Sequence, residues 1–257
     1  MTKNTDLARR LIGLVDLTRL EAPDENSASE AEAIRSLCSD ASTPLGPVAA
    51  VCVYPAWVSL AHNQLEAAGQ RAAIKLASVA NFPSGANSID STVAEIAAAV
   101  ADGADEIDVV IPWSALKDGH SEPVKSLLAA SRMACPNRCM KVILESGELE
   151  DQEIIRHGAE LAIGSGADFI KTSTGKVAVN ATLPAARVML IAIRESERDV
   201  GFKASGGIRT TSEAAAYFAL AEQIMGRDWI NPDHLRFGAS SLLDDLLATA
   251  NNPDSDR

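Results

Sequence analysis

Positive charge is scarce in this sequence. Its 257 residues carry 23 lysines and arginines against 35 aspartates and glutamates, a formal net charge of −12. Nucleic-acid affinity rests on neutralising phosphates, so binding to a duplex is excluded as a main function and no nucleic-acid partner is expected. An anionic substrate would need local counter-charge, from a few lysines, arginines and backbone N–H groups. Long apolar runs are missing too. No stretch approaches the roughly 18 apolar residues of a membrane helix, and the opening MTKNTDLARRLIGLVD lacks a sustained apolar core followed by a small-residue cleavage site. The expectation is a cytoplasmic protein with no membrane contact.

Metal-ligand and nucleotide patterns are also thin. The four cysteines, Cys38, Cys52, Cys135 and Cys139, form neither a disulfide framework nor a CxxC pair. Cys135-Pro-Asn-Arg-Cys139 resembles half a zinc site, but no second half at ligand spacing follows. His62, His120, His157 and His234 are scattered, so no metal is expected. Ser173-Thr174-Gly175-Lys176 ends like an ATP-binding phosphate loop. Position 170, however, is Ile where that loop needs Gly, and Val177 stands where Ser or Thr would hold magnesium. Gly164-Ser-Gly166 precedes a strand, whereas a dinucleotide fingerprint precedes a helix.

What is present is alternation. Short β-rich runs occur at Leu14–Leu17, Val48–Tyr54, Ala73–Val79, Glu106–Ile111, Met140–Glu145, Asp168–Thr172, Gly201–Ala204 and Leu235–Gly238. Between them lie stretches with helical spacing of apolar residues, such as Ser91–Ala101, Gln152–Gly164 and Ser212–Ala221, each too long for a hairpin. Such βα units imply parallel strands, and eight of them at about 32 residues each predict an α/β fold of the (β/α)8 TIM barrel type. A doubly wound open sheet would carry a glycine-rich turn after its first strand; here Asp16-Leu-Thr-Arg-Leu20 follows instead. No linker divides the chain, so residues 1–250 are expected as a single barrel domain, with 251–257 as a polar tail that frays.

Active sites of such barrels sit where strands end. The strand ends here carry Asp16 and Thr18, Cys52, Asn81, Asp108, Glu145, Lys171 with Thr172 and Ser173, Lys203 with Ser205, and Ser240 with Ser241. The two-residue period places Phe169 and Lys171 on one strand face. Lys203 follows Lys171 by 32 residues, one repeat, and Asp108 precedes it by 63, two repeats. Two ammonium groups at matched height disfavour each other's protonation, and burial acts in the same direction. At least one lysine should then be partly neutral near pH 7, an amine nucleophile for carbonyls, with a carboxylate beside it to relay protons. The plain alternative is a structural ion pair.

A phosphate cradle is suggested separately. Ala204-Ser205-Gly206-Gly207-Ile208-Arg209 follows the seventh strand, and Gly238-Ala239-Ser240-Ser241 runs from the eighth into LLDDLL. Loops after strands seven and eight with a helix N-terminus are the usual phosphate site of this fold. The alternative is a plain turn and a helix cap.

Six segments together resemble deoxyribose-phosphate aldolase, a class I aldolase family: ADFIKTSTGKVAVNAT, GADEIDVVIP, GFKASGGIRT, KVILESGEL, ANFPSG and RFGASSLL, within Asp16–Leu243. The resemblance implies reversible cleavage of 2-deoxy-D-ribose 5-phosphate to acetaldehyde and D-glyceraldehyde 3-phosphate, without a metal or other cofactor, in deoxyribonucleotide catabolism. It implies a Schiff base on Lys171, with Asp108 and Lys203 catalytic, Asp16, Cys52, Thr174 and Lys176 binding substrate, and Gly175, Gly206, Gly207, Ser240 and Ser241 binding phosphate. Cys52, beside cations, is expected to be either a partly ionised thiol open to unsaturated aldehydes or an inert core cysteine. The partners are sugar phosphates and aldehydes, and a homodimer is expected. Unlike some members, the chain ends in Asp256-Arg257 and not in tyrosine. Another Schiff-base aldolase, or a non-catalytic phosphosugar-binding barrel, remains the alternative.

Overall fold

The structure is a computed structural model that describes residues 3–21 and 28–251. All eight expected strands occur: β1 (Val15–Arg19), β2 (Ala50–Val53), β3 (Lys75–Ala80), β4 (Glu106–Val110), β5 (Cys139–Ile143), β6 (Phe169–Lys171), β7 (Gly201–Ser205) and β8 (Leu235–Ala239). Their ends differ from the expected ones by at most two residues. Each pairs in parallel with the next, and β8 closes on β1 through Val15–Phe237, Asp16–Gly238 and Leu17–Ala239. The protein is a (β/α)8 barrel.

Local chemistry starts the helices. Ser88 accepts a hydrogen bond from the Ser91 N–H and so begins Ile89–Ala101 two residues ahead of the apolar pattern. Asp151 caps Gln152–Gly164, which has the expected bounds. Thr210 and Glu213 form a reciprocal capping box that opens Thr211–Met225. The sequence pattern had not shown helix Lys3–Ile12, which packs against the last helix, Leu242–Asn251. Asn251 therefore belongs to that helix and not to the expected tail. Residues 252–257 lie outside the described residues. The Pro44–Pro47 turn joins Ser42–Thr43 to Gly46–Pro47 in a short antiparallel ladder.

Strand alternation sends side chains into two unlike interiors. Outward-facing Val15, Leu17, Val51, Leu76, Ile107, Val142, Ile170, Phe202 and Phe237 pack with the helices in one large apolar core. The axis of the barrel holds Asp16, Glu106, Asp108, Lys141, Lys171, Lys203 and Arg236, all buried. Burying an ion costs several kcal/mol even after relaxation. The outer core therefore carries the stability, and the axial charges persist only as mutual partners. Among the described residues no helix is long and apolar enough to cross a membrane.

Candidate active site

Lys171 and Lys203 are direct register partners on β6 and β7. From β4, Asp108 accepts at one oxygen from both: Oδ2 lies 2.9 Å from Lys171 Nζ and 2.8 Å from Lys203 Nζ. The lysine pair and shared carboxylate expected from repeat spacing are thus assembled. Of these three side chains only Lys171 keeps any exposure, 2% against none for Asp108 and Lys203.

The other Asp108 oxygen is also taken. Lys141, its direct register neighbour on β5, donates to Oδ1 at 2.9 Å and lies 2.5 Å from Glu106 Oε2 and 3.7 Å from Asp16 Oδ2. Asp16 Oδ2 is 2.5 Å from Lys203 Nζ. Arg236 closes the network, with Nη1 2.6 Å from Asp16 Oδ1 and Nη2 3.2 Å from Glu106 Oε1.

These contacts set the ionisation. Burial pushes the Asp108 carboxyl up, but Lys141, Lys171 and Lys203 outweigh it and hold the group well below the usual carboxylate range. Lys203 is pulled down by burial and up more strongly by Asp108 and Asp16, so its net direction is upward. Lys171 goes the other way. Burial lowers it, Asp108 opposes, and the neighbouring Lys203 charge adds to the lowering. The two lysines are driven apart, and Lys171 is the one moved toward the neutral amine.

Above them opens a cleft of about 200 Å³. The loop after β6 lends it Thr174, Gly175 and Lys176, the loop after β7 Gly206 and Gly207, and the turn before the last helix Ser240 and Ser241. All seven residues were expected to meet the substrate. Gly238 in the cleft wall adjoins the lysine pair at Lys203, since a Cβ there would lie 2.6 Å from Ser205 Oγ and 3.0 Å from Lys203 Cε. Two glycines show why side chains are absent. Gly206, at φ +84°, would drive a Cβ to 2.7 Å from Asn180, while Gly207, at φ +83°, faces open space.

Some expected residues take other positions. Asp16 is buried in the ion network and Cys52 lies in the small apolar cluster of Leu20, Ala77 and Val79; neither lines the cleft. Of the two readings of Cys52 the structure favours the inert core cysteine, because burial pushes the thiol up to about 11 and outweighs the nearby lysines. Thr174 is engaged locally, its hydroxyl donating to Glu145 Oε2 at 2.6 Å and its N–H to Oε1 at 3.1 Å. Asn81 is likewise structural: its amide donates to the Val110 carbonyl and accepts from the Asn87 N–H. Among the described residues no three His, Cys, Asp or Glu side chains converge as metal ligands.

Residues 10–248 match the DeoC/LacD family aldolases. The chain belongs to that family. The aldolase is similar to a candidate deoxyribose-phosphate aldolase from Toxoplasma gondii ME49, 27% identical, with a TM-score of 0.87 over 98% of this chain and 96% of that one. A candidate deoxyribose-phosphate aldolase from Coccidioides immitis is 28% identical, with a TM-score of 0.81 over 94% of this chain and 86% of that one. A tetrameric deoxyribose phosphate aldolase from Aeropyrum pernix, 24% identical over 98% and 94% of the two chains, shares the fold at a TM-score of 0.75.

Sequence reasoning missed several groups of this aldolase's site. Lys141, Glu106 and Arg236 are as central as Asp108, and Glu21 and Arg209 line the cleft. A signal existed for Glu106, which the two-residue period puts on the same strand face as Asp108.

Proposed function

We propose that this aldolase reversibly cleaves 2-deoxy-D-ribose 5-phosphate to D-glyceraldehyde 3-phosphate and acetaldehyde through a Schiff base on Lys171, without a metal. The observation that carries the reading is the unequal lysine pair on Asp108, reached through Gly238 from a cleft lined by glycines, serines, Lys176 and Arg209.

In this reading the neutral Nζ of Lys171 adds to the C1 aldehyde of the open-chain sugar. Lys203, a cation 2.8 Å from Asp108, protonates the carbinolamine oxygen, which leaves as water. The resulting iminium accepts the C2–C3 bonding electrons as that bond breaks. The C3-hydroxyl proton passes to a water oriented by Asp108, and the three-carbon phosphate departs as an aldehyde. The enamine takes that water's proton at C2, and water hydrolyses the iminium to acetaldehyde and neutral Lys171, with the proton released returning to Lys203. Asp108 is held too far below the ordinary carboxylate range to be a strong base itself. It acts by orienting the ammonium groups and water.

At the far end the positive-φ glycines at 175, 206 and 207, with Ser240 and Ser241 ahead of the ten-residue helix Leu242–Asn251, supply backbone and hydroxyl donors for phosphate. Lys176 and Arg209 supply the local positive charge that a chain of net −12 otherwise lacks.

Borohydride reduction with acetaldehyde or deoxyribose 5-phosphate, carried out in EDTA and read by peptide mass, should place a carbon adduct on Lys171. No adduct, or one found only on Lys176 or Lys203, overturns the assignment. An adduct that forms only after zinc is restored overturns the metal-free reading.

Lys203→Leu should lower turnover and move the alkaline-activated limb of the pH profile to higher pH, because the charge that disfavours Lys171 protonation is gone. If turnover falls and the limb stays, Lys203 acts by proton donation alone.

A further inference from the structure

The buried charges below the cleft do not balance when all are ionised. In this cluster Lys141, Lys171, Lys203 and Arg236 bring four positive charges, while Asp16, Glu106 and Asp108 bring three negative ones. An uncompensated ion in a low-dielectric interior is relieved when a titratable group changes its protonation. Arg236 cannot release a proton, so the choice falls among the lysines.

Carboxylate contacts decide between them. Lys141 meets Glu106, Asp108 and Asp16. Lys203 meets Asp16 and Asp108. Lys171 meets Asp108 alone. The remaining titratable groups facing Lys171 do not reverse this order: the Cys52 thiol is neutral in its apolar surroundings, and Glu145, pushed up by burial, directs both carboxylate oxygens to the Thr174 N–H and hydroxyl and forms no ion pair with Lys171. Cys139, which faces Lys141, is pushed up by burial and also stays neutral.

We propose that Lys141 is a positioning residue for the Schiff-base step: by occupying Asp108 Oδ1, Glu106 and Asp16 as a permanent cation, it makes Lys171 the amine that goes without a proton. The proposal rests on the Schiff-base reading above. Lys141 is wholly buried and does not line the cleft, so it acts through Asp108 and not on substrate. Its contact also fixes the rotation of that carboxylate, which leaves Oδ2 to face Lys171 and Lys203 together. With Lys141 removed, three cations face three carboxylates. Lys171 then keeps its proton.

The test is borohydride trapping of acetaldehyde at Lys171, measured across pH for the wild type and three variants. Lys141→Met should move the midpoint to alkaline pH by about one unit, a roughly tenfold loss of trapping at lower pH that recovers at higher pH. Lys141→Arg, which keeps the charge, should restore the wild-type midpoint. Glu106→Gln removes one negative charge and should move the midpoint to acid pH. A loss uniform across pH with an unmoved midpoint, or no change, overturns the proposal and leaves Lys141 a purely structural ion. Should Lys141→Met fail to fold, Glu106→Gln decides, and an absent or alkaline displacement overturns the proposal. Wild-type protein that traps nothing at Lys171 brings down the Schiff-base reading and this inference with it. Trapping with unmoved midpoints brings down the inference alone.

Discussion

Asp108→Asn is expected to remove most of the activity and a large part of the stability in one step. The carboxylate is the shared partner of Lys141, Lys171 and Lys203, at 2.9, 2.9 and 2.8 Å. An amide keeps the shape but offers no charge, and its NH2 must face at least one ammonium. Breaking a buried ion pair from one side costs about 3–5 kcal/mol, and losing the group that orients proton transfer costs about 10²–10⁴ in rate. The stability effect carries a pH signature. Because the folded Asp108 titrates well below an unfolded carboxylate, its contribution is complete above the unfolded pKa of about 3.9 and is lost as pH falls through the folded value. Urea midpoints of wild type and variant should therefore differ most at neutral pH and converge in strong acid. A variant that keeps the wild-type midpoint at pH 7 and turnover within twofold would refute the central place given to Asp108.

Gly207→Glu should separate the two ends of the substrate. Gly207 lines the cleft, and a Cβ at this position meets no atom within 4 Å, so the first carbon of a side chain is accommodated. Two costs remain. The backbone sits at φ +83°, which costs a non-glycine residue about 1–3 kcal/mol. The carboxylate faces the substrate phosphate, where like charges cost several kcal/mol. The first cost falls on the stability of the folded protein whatever the substrate, and the second only on the reaction of phosphorylated ones. At about 1.4 kcal/mol per factor of ten, kcat/KM for deoxyribose 5-phosphate should drop by about 10² or more, while the slow reaction of unphosphorylated deoxyribose is spared. Gly207→Ala measures the backbone part by itself. Equal loss on both substrates, or loss on neither, would remove phosphate from this end of the cleft.

The barrel was legible because its signal is repeated and local. Apolar runs at an even βα spacing identify strands, and the two-residue period then orients each side chain, so Lys171 and Lys203 could be placed as inward neighbours before any coordinates. Asp108 followed from the same count. Glycines at 175, 206 and 207 were legible because few other residues adopt the left-handed backbone they have here.

Lys141 shows where that reasoning stops. It lies in a strand, as does Lys75, yet Lys75 is exposed and Lys141 is wholly buried. Lys75 opens its strand, whereas Lys141 sits mid-strand against Asp16, Glu106 and Asp108 from two other strands, and one strand's own residues do not contain those partners. Cys52 was left undecided by the sequence for a related reason. Nearby cations suggested an ionised thiol, but the balance turned on desolvation by residues from other strands.

The sequence by itself determined the parallel barrel, the inward lysine pair and the glycine-lined loops, since each depends on periodicity or on the backbone freedom of single residues. Only the tertiary structure decided how the axial charges pair. Arg236 meets Asp16 across 220 residues of chain, and only because β8 closes on β1. That closure fixes how many carboxylates each lysine sees, and Coulomb energy in a dry interior is too steep with distance for the pairing to be read from composition.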